Sequence, residues 1–91
     1  MKVTTKSGFK CEINEHILND WRLARAIAKT HSDDDDEKMS ATVDMVSLIM
    51  GEYEKPFYEH LMSKNEHGIV SEDAVVADIV SIIGKLKTLK N

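Results

Sequence analysis

The chain is poor in the residues that announce chemistry. Cys11 is its one cysteine, so no disulfide can form within the chain and nothing in its cysteine usage points to an oxidising compartment. Aromatics are limited to two Phe, two Tyr and one Trp, which leaves aliphatic side chains and five Met to fill the core. Positive charge is not in excess. The 12 Lys and Arg stand against 16 Asp and Glu, for a net charge of −4, and this balance argues against generic nucleic-acid binding. No apolar run approaches membrane-spanning length, and the N-terminus lacks the apolar stretch of a signal peptide. The expectation is a cytoplasmic protein without a membrane partner.

Motifs of catalysis are also missing. The chain has no phosphate loop, dinucleotide fingerprint, nucleophile elbow or His-Glu-x-x-His. His16, His31, His60 and His67 occur singly, without metal-ligand spacing. Asp33 and Asp35 invite a calcium-loop reading, but the sixth position of such a loop needs Gly and holds Lys38, and the twelfth holds Asp44. The expectation is a non-enzymatic protein with no cofactor and no metal.

What is present is a globular pattern. The chain is 42% hydrophobic and 31% charged over 91 residues, which suits one domain spanning 1–91 with a thin core. Val3-Thr4-Thr5 and Phe9-Lys10-Cys11-Glu12-Ile13 are strand candidates around a turn at Ser7-Gly8. On the second, Phe9, Cys11 and Ile13 share one face, and Cys11 reads as a small buried hydrophobe rather than a reactive thiol. Residues 1–13 are thus expected to form a β-hairpin.

A helix is expected over 14–30, capped by Asn14, with Ile17, Trp21, Ala24 and Ala28 as its apolar stripe. Five consecutive acids mark 31–39 as a solvated acidic loop. The helical body is expected over 40–91. Ser40 caps a mostly apolar helix that Gly51 ends. Pro56 sits in the first turn of the next helix, where Phe57, Tyr58, Leu61 and Met62 face inward. After a turn at Asn65-Glu66-His67-Gly68, Ser71 caps the last helix, whose apolar stripe is Val76, Ile79, Val80, Ile83 and Leu86. Lys85, Lys87 and Lys90 complement the negative end of its dipole. The fold class is mainly α (α+β): a β-hairpin followed by about four short helices packed as a small bundle.

Short helices with brief connections also admit a small DNA-binding or regulatory protein as the alternative. Against it, the helix after Gly51 opens with Glu52-Tyr53-Glu54, where a recognition helix presents basic or amide side chains.

The run Val3-Thr4-Thr5-Lys6-Ser7-Gly8-Phe9-Lys10-Cys11-Glu12-Ile13-Asn14-Glu15 resembles the start of small tail assembly chaperones of long-tailed bacteriophages and prophages, especially those of Gram-positive hosts. Leu48-Ile49-Met50-Gly51, Tyr58-Glu59-His60-Leu61 and Asn65-Glu66-His67-Gly68-Ile69-Val70 fit the same pattern, so the resemblance spans most of the chain. The acids at 33–37 and the lysine-rich end depart from it. The resemblance implies a protein of the bacterial host cytoplasm that binds the long helical tape-measure protein and major tail subunits during tail assembly. Such binding suits adaptable apolar helix faces. Val43, Val46, Met50, Val76, Ile79 and Ile83 are the candidate interaction surface, and the aliphatic content of the second and fourth helices suggests a homo-oligomer.

Overall fold

A computed structural model describes residues 1–90, with Leu89 and Lys90 described by their backbone only. The Lys90 side chain of the expected lysine cluster, and Asn91, lie outside the described residues. The protein is mainly helical with an N-terminal two-stranded antiparallel hairpin.

Strands β1 (Lys2–Thr4) and β2 (Lys10–Glu12) pair with Val3 opposite Cys11. Alternation sends Val3, Cys11, Phe9 and Ile13 into the core and leaves Lys10 and Glu12 outside. Gly8 takes φ 91° in the turn, a conformation that residues carrying a Cβ resist. The turn is closed by Thr5 and Gly8, whose N–H groups donate to the carbonyls of Phe9 and Thr5 at 2.8 and 2.9 Å.

The helix expected over 14–30 is broken. Asn14 Oδ1 accepts from the His16 N–H at 2.9 Å, Ile17–Asn19 makes one 3-10 turn, and Asp20 is extended at φ −75°, ψ 122°. Helix α1 (Trp21–Lys29) starts only after Asp20, whose carboxylate accepts from the Arg22 N–H at 2.8 Å. Asn and Asp side chains compete for backbone donors and so cut the helix here. The Arg22 guanidinium adds a two-pronged ion pair at 2.7 and 3.1 Å, and these bonds hold the Asp20 carboxyl down at about 2. The phase of the helix changes as a result. Its buried residues are Leu23 and Ala26, whereas Trp21, Ala24 and Ala28 of the expected stripe are exposed.

The acidic loop expected at 31–39 is corrected as well. Helix α2 (Asp35–Met50) begins inside it. Asp34 accepts from the N–H groups of Asp36 and Glu37 at 2.9 and 3.1 Å, and Asp35, Asp36 and Glu37 fill the first turn. Like charges repel, but at this end of a helix they meet free N–H groups and the positive pole of the dipole. Ser40 is therefore interior to the helix and not its cap. Gly51, at φ 53°, ends α2 as expected.

Helix α2 packs against α1 on one side and, on the other, against α3 (Glu54–Lys64) and α4 (Glu72–Lys90). Pro56 lies in the first turn of α3, and Phe57 and Leu61 are its buried residues. Met62, expected to face inward, is exposed because it falls one position beyond that face. In α4 the buried residues are Asp78, Ile79, Ile82 and Leu86. The core face is thus rotated from the expected stripe, and Val76 and Val80 turn outward. One apolar core joins the hairpin to the helices, with Phe9 against Phe57 at 5.4 Å between ring centroids.

Candidate functional site

Two different surfaces and one polar cluster concentrate the unusual side chains. The polar cluster gathers on the hairpin turn around the buried Asp78. Asp78 is 1% exposed, and its two carboxylate oxygens accept from the Ser7 N–H at 2.9 Å and the Ser7 hydroxyl at 2.5 Å. His60 Nε2 lies 3.2 Å from both the Ser7 carbonyl and Ser7 Oγ. The Lys64 ammonium donates to the same carbonyl at 2.7 Å, and that of Lys85 donates to the Thr4 carbonyl. Thr5 Oγ1 stands 3.2 Å from Ser7 Oγ and accepts from the Phe9 N–H at 3.1 Å.

Serine, histidine and aspartate meet here, but not in the order that activates a nucleophile. His60 Nε2 stands as close to the Ser7 carbonyl as to the Ser7 hydroxyl and is not committed to the hydroxyl. The Ser7 proton goes to Asp78. The cluster holds the hairpin turn onto α3 and α4, and among the described residues no buried side-chain polar atom lacks a partner. Sequence reasoning missed it. The available signal was Asp78 itself, one helical turn before Ile82 and two before Leu86, on the buried face.

Cys11 is buried beside this cluster. Burial, and then the Asp78 charge, push its thiol above the ordinary value of 9.0, with Lys85 opposing. A folded value above the unfolded one stabilises the protein fully below pH ~9, and that contribution is lost as pH rises through the folded value. The Cys11→Ala variant should therefore lose stability less steeply than the parent in alkaline buffer. A thiol reagent at neutral pH should label the native protein far more slowly than the unfolded chain. Equal alkaline slopes, or labelling at the unfolded rate, would show an accessible thiol.

The first surface is an apolar notch of about 180 Å³ between α2 and α4. Met39 and Val43, one turn apart on α2, face Val75 and Val76 on α4, with Val46 at the floor and Tyr58 at the side. Tyr58 donates to Glu54 Oε2 at 2.8 Å; burial, reinforced by that carboxylate, pushes its hydroxyl up to about 12. Val80, one turn beyond Val76, is 62% exposed and extends the apolar strip. Of the six residues expected at an interaction surface, Val43 and Val76 are exposed here. Ile83 is half-buried. Val46, Met50 and Ile79 belong to the core, because the faces of α2 and α4 that carry them pack inside the molecule.

The second surface is a cleft of about 450 Å³ between α1 and α2, lined by Trp21, Arg22, Arg25 and Lys29 with Asp44, Ser47 and Leu48 opposite. Trp21 is 82% exposed. It too was illegible from spacing, since the position of Asp20 as cap decides the phase of α1. Among the described residues, no group of three or more His, Cys, Asp or Glu side chains is placed to hold a metal ion, and no helix is long and apolar enough to cross a membrane. Comparison with protein-family models, curated proteins and solved structures yields no match to this chain.

Proposed function

We propose that this protein is a non-enzymatic tail assembly chaperone of a long-tailed bacteriophage or prophage. In this reading it acts in the host cytoplasm, covers helical segments of the tape-measure protein and contacts major tail subunits. The observation that carries the reading is the exposed apolar strip of Met39, Val43, Val76 and Val80 on two adjacent helices. A pair of helices with a shallow apolar notch between them suits an amphipathic helix laid into it, and a methionine at the edge adapts to varied side chains. The sequence resemblance of the hairpin and the later turns supplies the client.

The test is copurification with a tape-measure fragment. The double change Val43→Asp and Val76→Asp should weaken capture by about tenfold or more, since desolvated apolar anchors carry most of the energy of such contacts. Helicity should stay at the parental level because both side chains face solvent. Val46→Asp, in the core, should unfold the chain instead. Undiminished capture by the double variant would remove the strip from the interface, and a parent that ignores the fragment would refute the client.

A further inference from the structure

Helix α4 keeps one face in solvent. Asp73, Val76, Val80, Gly84 and Lys87 are all exposed, and at 3.6 residues per turn they fall within about 80° of its circumference. The centre of this face is apolar and its ends carry opposite charge. The side chains of Asp73 and Lys87 make no hydrogen bond or ion pair among the described residues. The other charges nearby are placed elsewhere. Glu72 lines the α2–α4 notch, Lys85 donates to the Thr4 carbonyl, and Lys38 pairs with Asp35 at 4.0 Å on α2.

The dipole of α4 accounts for an acid at its start and a lysine at its end. It does not account for Gly84. A glycine inside a helix costs stability relative to alanine. Among the described residues no neighbouring atom lies within 4 Å of the place its Cβ would take, so nothing inside the monomer needs the missing side chain. On an exposed apolar helix face, a glycine lets a second backbone come close.

The face is also its own complement. About a two-fold axis at Val80, an antiparallel copy of α4 sets Val80 against Val80, Val76 against the gap at Gly84, and Asp73 against Lys87. We infer that this face of α4 is a homodimer interface, occupied by the same face of a second copy of this chain. One patch used twice closes the assembly and leaves nothing to propagate. The contact is narrow, so the dimer is a reversible one. It covers Val76 and Val80, which also belong to the strip assigned above to the client. A client helix and the second copy therefore exclude each other there; that exclusion, unlike the interface itself, rests on the client reading.

Sedimentation of the full chain tests the interface. Asp73→Lys makes both ends of the face basic, and Lys87→Asp makes both acidic. Each alone should dimerise about tenfold or more weakly than the parent, with circular dichroism unchanged. Mixed in equal amounts, they should form a heterodimer of near-parental affinity, because every pair across the axis is again opposite in sign. Gly84→Gln has two effects of opposite direction. In dilute, monomeric protein it should raise the urea midpoint, as a better helix former in open space. At high concentration it should dimerise about tenfold or more weakly. Val43→Asp, on α2 and off the axis, should keep the dimer while weakening capture of a tape-measure fragment, so the two sites fail separately. A parent that stays monomeric at high concentration overturns the inference. So does a dimer that survives the charge variants, a mixture that does not recover, or a Gly84→Gln protein with parental dimer affinity. A Gly84→Gln midpoint below the parent's would give the glycine a role inside the monomer and overturns it too, as does a dimer lost with Val43→Asp and kept with Gly84→Gln.

Discussion

Asp78→Ala should cost about 3 kcal/mol or more, a large fraction of the stability of a chain this small. The substitution strips two hydrogen bonds from Ser7, one from the backbone N–H at 2.9 Å and one from the hydroxyl at 2.5 Å. Bonds to a charged group each contribute ~1.5–3 kcal/mol, and a buried donor left alone costs ~1–3 kcal/mol. Native stability for a chain of this size is only ~5–14 kcal/mol. Asp78→Asn separates charge from hydrogen bonding. Its amide oxygen still accepts from the Ser7 N–H, and the Ser7 hydroxyl can turn to accept from the new NH₂ group. The expected loss is smaller, about 1–2 kcal/mol. Urea midpoints of the three proteins decide the matter. If Asp78→Ala melts with the parent, the carboxylate does not hold the turn.

Phe57→Ala should be comparably severe. The ring is 0% exposed and touches Phe9 and Tyr58 at centroid distances of 5.4 and 5.9 Å. Truncating a fully buried Phe costs ~3–5 kcal/mol through lost transfer energy and the cavity left behind. Phe57→Leu keeps most of the volume and should lose roughly 1.5 kcal/mol or less. The pair reads the site by size alone, because neither variant introduces a polar group. Chemical denaturation followed by circular dichroism gives both values. A loss for Phe57→Ala no larger than for Phe57→Leu would mean that the hairpin and α3 close over the gap.

The parts of the fold legible in the sequence are those where a single periodicity rules. The period of two along Phe9, Cys11 and Ile13 has only one burial solution, and the structure adopts it. Gly51 and Pro56 fixed one helix end and one helix start because their backbone preferences leave little choice. Where side-chain hydrogen bonds compete with the backbone, spacing alone misleads. Asp20 and Asp34 each moved a helix start, and each move changed which side chains the helix presents. Trp21 went from expected core to open surface for that reason. In α4 the apolar residues cover enough of the circumference that period alone does not choose the buried face. The choice falls to Asp78, whose bonds to Ser7 exist only when the hairpin and α4 are both in place.

The turn clamp also sets an order of events. Ser7 and Asp78 are 71 positions apart, and Lys85 and Thr4 are 81 apart. The entropy of closing such loops grows only slowly with length, but it must be met before any of these bonds form. During synthesis the hairpin emerges first and waits, with its polar turn in water, until α4 follows. Until then β1 and β2 form an isolated two-stranded ribbon, which is marginally stable at best in water. The nascent chain therefore exposes an unpaired strand edge and the Phe9 ring until α4 has been made.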